Sequence, residues 1–89
     1  MSENCLSKRP ELNIRNIDQE TVIVDKETGE VHQLNPTASY IWDQFDGATT
    51  IEQITSKLAN EFNIDENQAA LDVNAVVDQL KELKLLIMQ

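Results

Sequence analysis

The longest hydrophobic repeat in the chain lies near its C-terminal end. Between Asp65 and Leu83, the residues Ala69, Val73, Val76, Leu80 and Leu83 recur at every third or fourth position, and Val77 widens the stripe. That spacing predicts one helix with one buried face. Asp65 followed by Gln68 resembles a capping box, which places the helix start at Asp65. A single helix cannot cover its own apolar stripe, so the upstream chain has to supply the covering surfaces. Two shorter helices precede it. Asn35-Pro36 offers a capping side chain and then a residue suited to the first helical position, and Ala38, Ile41, Trp42 and Phe45 follow on one face. Asp46-Gly47 reads as the stop, with Gly47 free to take a left-handed conformation. Thr49 and Glu52 then form a second capping-box pattern ahead of Ile51, Ile54, Leu58 and Phe62, and Asn63-Ile64 closes that helix.

Upstream of Asn35 the period changes from helical to two. Leu12 and Ile14 alternate with Asn13 and Arg15, Thr21 to Val24 is rich in β-branched residues, and Glu30 to Leu34 returns after the polar connection Asp25 to Gly29. Residues 1–10 are polar, end at Pro10 and read as a flexible tail, leaving 11–89 as one domain. After Leu83 the run Leu85 to Met88 is apolar, either a last strand returning to the core or a surface awaiting a partner. The expected fold is α+β and winged-helix-like, a three-stranded antiparallel sheet followed by a three-helix bundle in the order β-β-β-α-α-α. The short turn between the second and third helices is that of a helix-turn-helix pair.

Charge narrows the function. Sixteen acidic residues against seven basic ones give a formal net charge of −9, which opposes both nucleic acid and an anionic membrane. The last helix exposes Glu66, Asp72, Asp78 and Glu82, the wrong charges for a DNA-recognition helix. A winged-helix DNA-binding regulator is therefore the most remote of the readings. A lone cysteine, Cys5, permits no internal disulfide, and no stretch has the length or apolarity of a signal or membrane span, so the cytoplasm is the expected compartment.

Candidate chemistry is sparse. One Cys and one His fall short of a metal site, Cys5 has no base that the fold would hold beside it, and two glycines make no phosphate loop. The reading is of a binding protein and no enzyme, without cofactor or metal. Trp42 and Phe45 have the spacing of core residues, not that of a stacking platform. The sheet order leaves an edge at Val31, His32, Gln33 and Leu34, and an open edge is a template for a further strand. Asn74, Val77 and Lys81, at the margin of the last helix, are the candidates to line a groove beside it. In that groove Val31 and Leu34 would alternate with His32 and Gln33 against a peptide. A second reading has the chain as an assembly module that docks through the sheet edge and the apolar tail, on a partner or on a second copy as a homodimer.

The run Val31-His32-Gln33-Leu34-Asn35-Pro36-Thr37-Ala38, then Ile41-Trp42, Asp46-Gly47, Thr50-Ile51 with Ile54, and finally Val73, Val76-Val77, Leu80, Leu83 and Leu85-Leu86, resembles the PqqD family. The resemblance covers residues 11–86. It implies a recognition domain that binds the leader of a ribosomally made precursor peptide and presents it to a modifying enzyme, often a radical S-adenosylmethionine protein. It also implies that the leader adds a strand to the third strand of the sheet and packs on the third helix. On this chain that is Val31 to Leu34 facing the helix that starts at Asp65. The resemblance gives the binding mode rather than the final product, and it implies no cofactor held by the domain itself.

Overall fold

In a computed structural model of the chain, residues 5–88 are described. Their strands sort into two three-stranded antiparallel sheets. β1 (Cys5–Lys8) is the centre of one, flanked by β5 (Asp46–Thr50) and β6 (Leu86–Met88). β2 (Leu12–Ile17), β3 (Glu20–Asp25) and β4 (Val31–Leu34) form the other in that order. Three helices follow β4: α1 (Pro36–Asp43), α2 (Ile51–Phe62) and α3 (Glu66–Glu82). The α+β, winged-helix-like order of three strands and then three helices is present. A second sheet, made of the segments before, between and after those elements, is added to it.

The β2-β3-β4 sheet is two hairpins built on local chemistry. Asp18 takes φ 60° in a two-residue turn that pairs Ile17 with Glu20. Gly29 takes φ 80° in the second turn, where its amide donates to the Asp25 carbonyl at 2.7 Å. Register sets the faces. Thr21, Ile23 and Asp25 point inward with His32 and Leu34 opposite them, and the alternation along β3 is strictly buried and half-buried. That inner face packs on α1, whose Ala38, Ile41 and Trp42 join Phe45, Ile54, Leu58, Ala69, Val73, Val77 and Leu80 in one core.

Several local expectations are corrected. The flexible tail assigned to residues 1–10 is, over Cys5–Lys8, the central strand of a sheet; residues 1–4 lie outside the described residues. Leu6 is buried, Lys8 Nζ donates to the Phe45 carbonyl at 3.2 Å and sits 5.5 Å from the Trp42 ring centroid, and the Arg9 amide donates to the Leu85 carbonyl at 2.9 Å. Asp46-Gly47 does not cap α1. That helix ends at Gln44, whose amide donates to the Ile41 carbonyl while the Phe45 amide donates to the Trp42 carbonyl, and Gly47 uses φ 83° inside β5. The second capping box is shifted by one residue. Thr50 Oγ1 accepts from the Gln53 amide at 3.1 Å and Gln53 Oε1 accepts from the Thr50 amide at 2.9 Å, because the Thr49 amide is already given to Asp46 Oδ1. Asp65 makes no side-chain cap bond at α3, and Gln68 Nε2 donates to Asp72 Oδ1 at 3.0 Å instead. Asn35 does cap α1, accepting from the Ala38 amide at 2.8 Å with Pro36 next in the first helical position.

The apolar tail is spoken for. Leu85 and Leu86 are buried, and β6 pairs with β1 through Leu6, Ser7 and Lys8. The assembly reading needed this tail as a free docking surface, and the fold itself covers it; Ile87 alone of Leu85, Leu86 and Ile87 stays exposed.

Candidate functional site

β4 is an edge strand. Its one neighbour is β3, and no strand lies on its other side among the described residues. Strand pleating splits its four side chains two and two. His32 and Leu34 face inward with Ile23 and Thr21, while Val31 and Gln33 face the opposite side of the sheet. The expected grouping of Val31 with Leu34 against His32 and Gln33 is therefore replaced by Val31 with Gln33 and His32 with Leu34. Period two decides this: residues three apart cannot share a face. Val31 is 63% exposed, which is high for a valine on a strand, and Leu34 is in the core.

The helical candidates fall along one line of α3. Asn74, Val77 and Lys81 are spaced by three and four residues, so they stack on a single margin of the helix. Val77 is buried and belongs to the same core as Leu34, while Asn74 and Lys81 are exposed at its rim. β4 packs on α1 and α1 on α3 within that core, and Val31, Gln33, Asn74 and Lys81 remain at the surface.

His32 has a more particular environment than the sequence suggested. Its side chain is 13% exposed, and its Nε2 is buried without a hydrogen-bond partner among the described residues; Glu30 Oε1 stands 3.6 Å away, beyond hydrogen-bonding range. Gln33 is held differently, its Nε2 donating to Glu20 Oε1 across the ladder at 2.7 Å. This bond fixes the Leu34 end of β4 against the start of β3.

One cleft lies beyond that end. It encloses about 440 Å³ between the β2–β3 turn, α1 and the last turn of α2, and its walls include Asp18, Pro36, Tyr40, Asp43, Glu61 and Phe62. Tyr40 and Phe62 meet edge to face with centroids 5.6 Å apart. Burial, and then the charge of Glu61, push the Tyr40 hydroxyl pKa above its ordinary value. The sequence pattern did not bring these residues together. Phe62 reads as a core position of α2 and is 37% exposed instead.

Among the described residues no three His, Cys, Asp or Glu side chains converge as metal ligands, and no helix is long and apolar enough to cross a membrane.

The sequence pattern of one family, described as Coenzyme PQQ synthesis protein D (PqqD), matches residues 20–86. Two solved structures are similar in fold. Lasso peptide synthetase B1 complexed with the leader peptide has a TM-score of 0.82 at 28% identity, with 93% of this chain and 98% of that chain covered. TbiB1 in complex with the TbiA(beta) leader peptide has a TM-score of 0.81 at 22% identity, with 90% and 93% covered. No curated protein matches the chain.

Proposed function

Because the chain belongs to the PqqD family, we propose that it is a recognition domain that binds the leader of a ribosomally made precursor peptide and presents it to a modifying enzyme. The observation that carries this reading is the edge of β4, unpaired among the described residues, in a fold whose core also holds the apolar face of α3. Both similar structures hold a leader peptide, which supports the same role for this fold. A peptide strand laid on β4 would satisfy its backbone through ladder hydrogen bonds, and alternate side chains would set specificity. Val31 to Leu34 would supply the ladder, with Asn74 and Lys81 lining the groove on either side of the core residue Val77. The domain contributes binding and orientation, and the partner supplies the chemistry; a radical S-adenosylmethionine protein is the partner class we favour.

An amide chemical-shift titration of the labelled chain tests this, with the leader of the short precursor peptide encoded nearest its gene. The expected result is saturable shifts at Val31 to Leu34 and along Asn74, Val77 and Lys81. A flat response at these residues at high peptide concentration would overturn the assignment of that peptide and of this edge.

A further inference from the structure

A buried polar atom needs a partner, and two side-chain nitrogens have none among the described residues: Trp42 Nε1 and His32 Nε2. Trp42 lies inside the core, with Lys8 over its ring. His32 stands on the edge strand, where its surroundings can be counted. On a pleated sheet a side chain has two neighbours along its own chain and one on each adjacent strand. Along the chain those of His32 are Glu30 and Leu34. Leu34 is apolar, and the Glu30 carboxylate stays 3.6 Å from Nε2, on a side chain that is 65% exposed. Across the ladder the neighbour is Ile23, apolar and buried. The fourth place, on the open side of β4, has no strand among the described residues.

The ladder says what an added strand would put there. The Asp25 amide donates to the Glu30 carbonyl, so the hydrogen-bonded pairs that follow are Ile23 with His32 and Thr21 with Leu34. Val31 and Gln33 therefore turn their amides and carbonyls outward. An antiparallel strand bonded to those two sets one of its own residues abreast of His32. That is a non-hydrogen-bonded position, where Cα atoms approach to about 4.5 Å and side chains lie closest. The residue shares the inner face with the imidazole. A turn of the ring, or of the exposed Glu30 side chain beside it, brings Nε2 to a partner there.

Burial and charge constrain that partner. A group bonded to a buried nitrogen is itself withdrawn from water, which is costly for an ion. A second carboxylate would also face Glu30, on a chain whose net charge is −9. A hydroxyl or a carboxamide carries donor and acceptor together and so serves either imidazole tautomer.

We propose that His32 is a specificity-determining residue of the peptide edge, its Nε2 hydrogen-bonding a neutral polar side chain (serine, threonine, asparagine or glutamine) on the leader residue abreast of it. The inference rests on the strand-addition reading for the position and on the unpaired Nε2 for the chemistry.

The test separates the two. The full-length labelled chain is titrated with the leader of the precursor peptide encoded nearest its gene, and with variants of that leader in which each residue in turn is alanine. Against the wild-type chain, one neutral polar position should lose about fivefold in affinity on replacement, the loss of one hydrogen bond. Against His32→Leu the same replacement should cost less than about twofold, because groups in contact are coupled and separate ones are not. The His32 imidazole nitrogen signals give a second readout that does not depend on how the variant folds. They should move when the leader is added to the wild-type chain, and stay still with the leader that lacks this one side chain. A purely structural His32 would weaken all leaders alike. That result, or a His32-dependent position that is apolar or charged, would overturn the proposal, while shifts at the Val31 and Gln33 amides would keep the strand-addition reading. No shift at Val31 to Leu34 with the leader would overturn both.

Discussion

Two buried residues carry most of what single substitutions can reveal. Asp25 is a carboxylate on the inner face of β3, 2% exposed, and Arg9 Nη2 reaches its Oδ2 at 2.6 Å. The hydrogen bond from Arg9, then those from the Glu27 and Thr28 backbone and the Arg9 charge, hold the Asp25 carboxyl below its ordinary 3.8 against the opposing push of burial. A carboxyl depressed in the folded state adds stability above its unfolded pKa and loses it as pH falls through the folded value. The chain should therefore keep this contribution at neutral pH and lose it below about pH 3.8. Asp46, depressed by the Ala48 and Thr49 amides, acts in the same direction. Arg9→Gln removes the partner and leaves burial to push Asp25 upward, so the acid-unfolding midpoint followed by circular dichroism should move to higher pH. An unmoved midpoint would mean that the ion pair does not stabilise the fold. Trp42 is the second case. It is fully buried with Lys8 over its ring, and emptying such a site typically costs about 3–5 kcal/mol. Trp42→Ala should show that loss in urea unfolding. Full stability with selective loss of leader binding would instead make the ring part of the binding surface.

At the scale of elements, the edge strand is where a small change should separate binding from folding. The Asp25–Glu30 hydrogen bond and the alternation of an antiparallel ladder turn the His32 amide toward Ile23 and the Val31 amide toward the open edge, so Val31→Pro removes an outward amide and places a ring in the path of an added strand. Leader affinity should fall at least tenfold while the β2–β3 hairpin and helices survive, read by titration beside a thermal melt. How far this was legible in the sequence varies by element. Elements made of local contacts were plain: the Thr21 to Val24 run, the Asn35-Pro36 start and the apolar stripe of α3 each carry their period and punctuation within one segment. The candidate edge Val31 to Leu34 was found in the same way, since strand order follows from consecutive hairpins. The second sheet was not. β1 offers one buried apolar side chain, Leu6, and its partners Asp46 to Thr50 and Leu86 to Met88 lie far along the chain, so no local period announces the pairing. The capping box of α2 was displaced for a related reason. Thr49 and Thr50 are chemically equivalent as caps, and the choice fell to Thr50 once Asp46 had engaged Thr49 by its amide and its hydroxyl. The acidic cleft is assembled from a turn, α1 and α2, and pattern along one segment cannot register such a meeting.

For the molecule as a whole, β1 is the piece that closes the fold. It sits between β5 and β6, so it joins the segment before α2 to the segment after α3, and Arg9 just beyond it reaches across to Asp25 of the other sheet. Removing residues 1–9 would strip β5 and β6 of their shared neighbour, uncover Leu85 and Leu86 and leave Asp25 buried without its cation. A central strand lost from a sheet exposes two unpaired edges, and such edges associate. The truncated chain is therefore expected to be destabilised in urea and to sediment as dimers or larger species, with association growing with concentration. The intact chain should not gain this association through Leu85 and Leu86, because its own N-terminal strand covers them. If the truncation leaves both the unfolding midpoint and the sedimentation unchanged, β1 is an appendage and the second sheet contributes nothing to closure. If the truncated chain instead remains folded enough to bind a leader while it associates, the two sheets act independently, and the peptide site needs only the β2-β3-β4 sheet and the three helices beneath it.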